Sequence, residues 1–321
     1  MPTLTTQLET RAVSPAFDRT WGDQLLDETL TALQAGCVAK AMGDLFDGLA
    51  KFRQDASAET WSRFAKERFP AHPVRSLIHQ SPFSRRSFEK PRGYAGDALL
   101  LDYIYDEATL PATTALGSQI CCHERHTSAS RSVRARKDIL AQGIDETATE
   151  FGRPRILSLA CGHLREARQA AAVRQGRVAT FIAIDQDRES LAVVERDHGA
   201  RGVQAMHGSV RSLLADKSVL RGFHFVYAAG LYDYLSAPVA TRLTAALFQM
   251  LAPGGKLLVA NFHPRLPAIA YMESVMGWWL IYRTASEVEA LAAQVDEREI
   301  AAQRTFEDPH RNLVFLEIRR R

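Results

Sequence analysis

The apolar positions of this chain change their period part-way along it. In the first 118 residues they recur at helical spacing: Leu25, Leu26, Leu30 and Leu33, then Val38, Met42, Leu45, Phe46 and Leu49. Trp61, Phe64 and Phe69 form a third amphipathic stretch, closed by Pro70 and Pro73. From residue 155 the apolar residues come instead in short unbroken runs, as in strands buried on both faces. Strands are predicted at 155–160, 178–184, 203–207, 223–229 and 255–261, with helical patterns near 164–175, 187–198, 210–215 and 237–251. Regular alternation of this kind is an α/β chain with a parallel, doubly wound sheet. Two more strands follow at 299–306 and 312–319, joined by the turn from Glu307 to His310. Pro111 to Gly117 is the best linker, so the chain is expected to divide into a helical domain, 1–118, and a sheet domain, 119–321.

The stretch that organises the second part is 155–166, Arg-Ile-Leu-Ser-Leu-Ala-Cys-Gly-His-Leu-Arg-Glu. Its apolar run stops at Ala160-Cys161-Gly162, and a pattern rich in Ala, Arg and Glu starts at once. A strand, a tight small-residue turn and a helix N-terminus make one half of a nucleotide-binding unit. The turn lets backbone N–H groups approach a ligand, and the helix start favours carboxylate or phosphate. Such turns also end ordinary strands. The next strand adds weight, because Phe181 to Ile184 runs into Asp185, 23 residues beyond Gly162. An acid at that place holds a ribose hydroxyl pair; its ordinary alternative is to cap the following helix.

Bulk composition narrows the partners. With 321 residues, 46% of them hydrophobic and 24% charged, the chain has the make-up of a globular protein with a full core. Forty Lys and Arg against 37 Asp and Glu leave +3, too little to argue for nucleic acid, and Arg85-Arg86 and Arg319-Arg320-Arg321 read as solvated surface. No stretch approaches 18 consecutive apolar residues, and the N-terminus lacks a basic start and an apolar signal core. Cys37, Cys121, Cys122 and Cys161 show no framework spacing. The chain is therefore expected in the cytoplasm with reduced thiols, with no membrane or nucleic-acid partner, and its sequence specifies no oligomeric state. Cys121, Cys122, His123 and His126 do not match the separated ligand pairs of a metal site, and no metal is expected.

Lys90 to Asp97 interrupts the helical region. Pro91, Gly93 and Gly96 forbid a regular helix there, while Arg92, Tyr94 and Asp97 can all make directed hydrogen bonds. Two readings remain open: a plain turn with Asp97 capping the helix that starts at Ala98, or a lid over a ligand. After the linker a helix runs through Arg131, Arg134 and Lys137 to about Ala141. The fourth strand leaves the sheet at Ala229-Gly230-Leu231, at the carboxyl edge where open α/β sheets bind ligands, and sends Tyr232, Asp233 and Tyr234 into the crevice.

These residues carry a resemblance. The stretch 155–166 resembles the S-adenosylmethionine (SAM) site of class I methyltransferases, whose first motif usually reads hydrophobic-hydrophobic-acid-x-Gly-x-Gly-x-Gly. Here Ser158 stands for the acid, Ala160 for the first glycine and Leu164 for the third; Gly162 keeps its place. The closing hairpin and the strand entry at Pro253-Gly254-Gly255 are similar to the same fold, a Rossmann-like sheet with a terminal antiparallel hairpin, here preceded by a helical cap domain. The loop Arg92 to Asp97, the segment Ala229 to Leu235 and Trp279 to Arg283 resemble the bacterial group named for 3-hydroxypalmitic acid methyl ester biosynthesis. What the resemblance implies is SAM as cofactor, lying along Ser158, Ala160, Cys161, Gly162, His163 and Glu166, with Asp185 and Gln186 at its ribose. Gly208, Ser209 and Val210 would meet the adenine, where Ser209 stands for the usual acid, and Gly230 and Leu231 would close the far side. Glu166 or backbone carbonyls would replace the missing acid at the amino group. Arg134, or Arg131 on the same helix, would reach the SAM carboxylate, and Arg92 would come from the lid.

The activity implied is methyl transfer to a small molecule, a carboxylate or hydroxyl of a fatty-acid-like or secondary metabolite. Tyr232, Asp233 and Tyr94 are the candidates to orient it. Two alternatives stand beside it. Some relatives of the fold use the aminocarboxypropyl arm of SAM, closing it to azetidine-2-carboxylate with release of methylthioadenosine. A third class would bind SAM without turning it over.

Overall fold

The computed structural model describes residues 15–215 and 220–321, and these form two compact units. One gathers the chain up to Phe88 with Thr113–His123 and Ala268–Gly277; the other gathers Glu89–Ala112, Glu124–Pro267 and Trp278–Arg321. The loop and helix from Glu89 to Ala112, which the sequence reading grouped with the N-terminal region, thus belong to the sheet unit. Pro111 to Gly117 is only partly a linker, since the helix Ala115–Arg125 starts inside it.

The helical unit is built from the helices the apolar spacing predicts, Pro15–Gln34 and Val38–Asp55, followed by a run from Ala58 that passes Pro70 and ends at Ala71. A π turn at Phe64–Arg68 precedes Pro70 and absorbs the irregularity that the proline brings. Leu26, Met42, Leu45, Leu49 and Phe69 are fully buried in this unit. Its one buried acid among the described residues is well met: Glu273 accepts from the Trp61 indole N–H at 2.6 Å and from Arg53 at 2.6 and 3.1 Å.

The sheet unit holds seven strands: β1 (Arg155–Leu159), β2 (Thr180–Asp185), β3 (Val203–His207), β4 (Phe223–Ala228), β5 (Leu251–Phe262), β6 (Ile300–Glu307) and β7 (Leu313–Arg320). Their order is β3-β2-β1-β4-β5-β7-β6. The first five pair in parallel, while β7 lies antiparallel between β5 and β6. The order reverses between β1, which leads leftward to β2 and β3, and β4. That switch opens a crevice at the carboxyl ends of β1 and β4. The apolar runs that predicted the strands fill the core: Leu157, Phe223, Val226, Leu257, Val314 and Leu316 are all fully buried.

The predicted helix at 164–175 is broken. It forms as Arg165–Gln169 and Ala171–Arg174, with Ala170 extended between them. The Asp145 carboxylate accepts from the amides of Ala171 and Ala172 at 3.0 and 2.7 Å, and so caps the second piece separately. The helix expected to stop near Ala141 runs on from Ser128 to Phe151. Among the described residues no helix is long and apolar enough to cross a membrane.

Candidate functional site

The crevice begins where β1 ends. Ala160, Gly162 and Leu164 have φ of +53°, +54° and +52°, so the turn uses the left-handed conformation at every second residue. Only Gly162 adopts it without steric penalty; Ala160 and Leu164 each carry a Cβ into a region costing roughly 1–2 kcal/mol. The turn is nonetheless held, because the Gly162 amide donates to the Asp185 Oδ2 at 2.8 Å and the Cys161 amide donates to the Ile184 carbonyl at 3.1 Å. A Cβ at Gly162 would lie 3.2 Å from that of Ala98, so the turn also packs closely on the helix Ala98–Tyr105.

Asp185 closes the other side. Its second oxygen accepts from the Asp187 amide at 2.9 Å, and its side chain is almost fully buried. Burial pushes its carboxyl above the usual range, against the pull of the two amides. It lines a cavity of about 240 Å³ together with Tyr94, Gly96, Ala160, Gly162, Gln186, Gly208, Ser209, Val210, Gly230, Leu231 and Tyr234. Ten of the residues that the sequence assigns to the cofactor or acceptor side are therefore neighbours in one hollow, Tyr94 among them. Ser209 does a second job there, accepting from the Ser212 amide at 3.1 Å as the cap of Val210–Ala215.

A smaller hollow of about 60 Å³ continues from the first, sharing Ala98, Leu101, Ala160, Gly162 and Gly230 with it. It is lined by Ser158, Cys161, His163 and Glu166, and by residues not singled out beforehand: Tyr105, Arg136 and Tyr227. The Tyr227 hydroxyl donates to Glu166 Oε1 at 2.7 Å, and Ser158 hydrogen-bonds the same hydroxyl. Burial raises the Glu166 carboxyl and keeps the Cys161 thiol protonated. Arg136, also buried, lines the same hollow and donates to the Ala229 carbonyl at 2.8 Å. Arg165 and Asp102, which also line the hollow, neutralise each other in an ion pair, whereas Arg136 and Glu166 feel each other's charge without forming one, so the hollow offers this cation and this acid held apart. That is the complement of an α-ammonium carboxylate.

Several expected site residues sit elsewhere. Arg134 does not reach the hollow; its two terminal nitrogens donate to the carbonyls of Ile104 and Arg125 at 3.1 and 2.9 Å. The arginine that does is two residues on, and the signal for it was present: Arg136 lies on the buried stripe of Val133, Leu140 and Ile144, and Arg134 does not. Arg92 lines neither hollow. It donates to Asp187 Oδ2 at 3.0 Å, to Ser190 Oγ at 3.2 Å and to His163 Nε2 at 3.3 Å, and so anchors the loop. Because a guanidinium can only donate, His163 accepts at Nε2 and carries its proton at Nδ1, facing Asp102 Oδ2 at 2.8 Å. Burial favours a raised Asp102 carboxyl, but the hydrogen bonds from Arg165 and His163 outweigh it and hold the carboxyl below its usual range.

Tyr232 is a core residue. It is fully buried, with its hydroxyl 3.0 Å from Thr244 Oγ1, and burial raises its pKa. Asp233 is buried beneath the turn, accepts from the Phe262 amide at 2.6 Å, and is pushed up to about 6 by burial. Neither lines the crevice; of the three residues in that segment, Tyr234 does. The reason is the 3₁₀ turn Tyr232–Tyr234, which turns successive side chains by about a third of a circle each. The two readings of the loop turn out compatible: Asp97 caps Ala98–Tyr105 through the Leu100 amide at 2.9 Å, and Tyr94 still lines the cavity. A larger cleft of about 640 Å³ lies beyond Gly208 and Ser209, walled by Met206, Leu213, Leu214, Leu220 and Met250. Its titratable groups, His207 and Arg221, are exposed, so it offers no fixed polar constellation. Among the described residues no group of three or more His, Cys, Asp or Glu could hold a metal.

The hollows thus sit at the switch point of a sheet ordered 3-2-1-4-5-7-6, whose seventh strand runs against the rest. This is the class I methyltransferase fold. No family model and no curated protein matches the chain. Among solved structures, one described as a possible exported protein from Bordetella parapertussis superposes with a TM-score of 0.56 at 14% identity, covering 96% of this chain and 99% of the other. The methyltransferase SibL in its apo form gives 0.49 at 14% identity, with the same coverage of 96% and 99%. Magnesium protoporphyrin IX methyltransferase (ChlM) from Synechocystis PCC 6803 with bound SAH gives 0.44 at 11%, over 60% of this chain and 87% of the other. At 14% identity the likeness to the first of these is one of fold alone, and what the fold does here rests on the hollows themselves.

Proposed function

We propose that the chain binds SAM across the two hollows and transfers its methyl group to a small-molecule carboxylate. The observation that carries the reading is the pairing of Asp185 with the Gly162 amide beside a separated Arg136 and Glu166. The outer hollow supplies an acid for ribose hydroxyls and small residues for a flat base. The inner one supplies a cation for a carboxylate and an acid for an ammonium. The residues fit the cofactor in kind: an acid beside the turn, small residues around it, and a buried cation and acid further in.

When bound, SAM would supply a methyl on a sulfonium with a neutral thioether as leaving group. The protein's part is then alignment and exclusion of water. Tyr94 lines the outer hollow, and its electron-rich face would attract the sulfonium by about 0.5–2 kcal/mol, depending on desolvation. Burial and the nearby Asp185 raise its pKa, so its phenol stays protonated and serves as a donor, not a base. The remaining acid of the outer hollow, Asp185, is already engaged by two amides. A hydroxyl or ammonium acceptor would need a base to lose its proton, whereas a carboxylate is ionised at neutral pH and needs none. That favours the carboxylate among the small-molecule acceptors.

One observation favours a second reading. Ser158 leaves Glu166 as the acid for the SAM amino group, and Glu166 is buried, raised in pKa and already bonded to Tyr227. An amine facing so weak an anion loses part of the stabilisation of its charged form, which favours the free amine that attack within the aminocarboxypropyl arm requires. The test separates all readings. Calorimetric titration with SAM reports binding, and chromatography of the nucleoside product after incubation reports the reaction. S-adenosylhomocysteine supports methyl transfer, methylthioadenosine supports the second reading, and absence of binding overturns both.

A further inference from the structure

Tyr234 is a phenol whose accepting side is already taken. The Trp278 indole nitrogen donates to its oxygen at 2.8 Å, and an indole N–H can only donate, so the direction of this bond is fixed. The Gly96 backbone amide bonds the same oxygen. Both neighbours are held: a Cβ at Gly96 would lie 2.3 Å from the Trp278 ring, so the loop backbone rests directly on the indole. The turn that carries Tyr234 is pinned as well, because the buried Arg283 donates to the Tyr232 carbonyl at 2.7 Å and also to the Leu235 carbonyl. With two donors at its oxygen, what Tyr234 has left to offer is its own proton. No acceptor among the described residues takes it, and the side chain lines the same hollow as Tyr94 and Asp185.

We infer that Tyr234 is a catalytic residue that donates its O–H to the acceptor, gripping the carboxylate oxygen that does not react. The inference rests on the methyl-transfer reading and names the residue that presents the acceptor. A rigid donor at one oxygen fixes where the other points, which is the alignment that in-line attack on a methyl requires. Trp278 and Gly96 are positioning residues, since they act by turning the phenol proton toward the hollow.

The probe is sodium octanoate, titrated into protein saturated with S-adenosylhomocysteine, with methyl octanoate as the uncharged control and melting curves as the folding check. The parent is expected to bind octanoate and to discriminate against the ester. Tyr234→Phe should weaken octanoate at least tenfold while S-adenosylhomocysteine affinity stays within twofold. Trp278→Phe keeps the phenol but frees its oxygen, and should lose affinity to a smaller extent. Octanoate binding unchanged in Tyr234→Phe overturns the inference, as does a parent that prefers the ester. Loss of S-adenosylhomocysteine binding in Tyr234→Phe also overturns it, by making the residue structural. Failure of the parent to bind S-adenosylhomocysteine at all removes the methyl-transfer reading instead, and this inference with it.

Discussion

The Gly162 amide and the Asp185 carboxylate meet at 2.8 Å across the ends of β1 and β2. The bond fixes the turn that approaches the ligand and the acid that would hold its ribose in one geometry. Asp185→Ala therefore removes the proposed ligand contact and a support of the turn together. It should weaken SAM binding by about 1.5–3 kcal/mol, the range for hydrogen bonds to a charged group. Calorimetry with S-adenosylhomocysteine, alongside a melting curve showing the fold intact, checks this; affinity equal to the parent's would remove Asp185 from the site.

Arg136 and Arg134 share a helix but face different partners. Arg136→Gln should weaken S-adenosylhomocysteine tenfold or more, since each tenfold is about 1.4 kcal/mol and a charge-assisted contact exceeds that. Arg134→Gln should instead lower the melting temperature with little change in affinity, because it releases the carbonyls of Ile104 and Arg125. The reverse pattern would restore the sequence-based choice of Arg134.

Ala160 tests the strain in the turn. Its φ of +53° carries a penalty of roughly 1–2 kcal/mol that glycine does not share. Glycine also frees the unfolded chain, which costs about 0.4–1 kcal/mol. The first effect wins, so Ala160→Gly should raise unfolding free energy by about 0.5–1 kcal/mol in urea titrations. A loss of stability would mean that contacts of the Ala160 methyl outweigh its strain.

Asp233 gives a pH dependence of defined sign. Its pKa rises from 3.8 to about 6 on burial, so between those values the folded state binds more protons than the unfolded one. Stability contributed by the protonated acid is therefore present below about pH 4 and lost as pH rises through about 6, on the order of 3 kcal/mol in total. Asp102 and Asp197 act oppositely, their pKa values being lowered. The comparison of parent with Asp233→Asn isolates the effect of this carboxyl: the variant should equal or exceed the parent above pH 7, and the gap should close toward pH 4. A gap constant with pH would show that Asp233 does not titrate in that window.

By itself the sequence determined the sheet and most of the crevice, because both follow from local pattern. Apolar runs specified which residues become buried strands. The spacing from Gly162 to Asp185 placed both at the carboxyl edge, since a strand, a helix and a second strand of those lengths return there. The tertiary structure decided which side chains face the crevice. Tyr232 and Tyr234 are chemically alike and two residues apart, and a 3₁₀ turn, held by the buried Arg283, sends one to the core and the other to the crevice. It also decided that Ala160 and Leu164 keep the left-handed turn without glycine. A motif counts the glycines that make such a backbone cheap, whereas the fold needs only that packing and the bond to Asp185 outweigh about a kcal/mol or two at each exception.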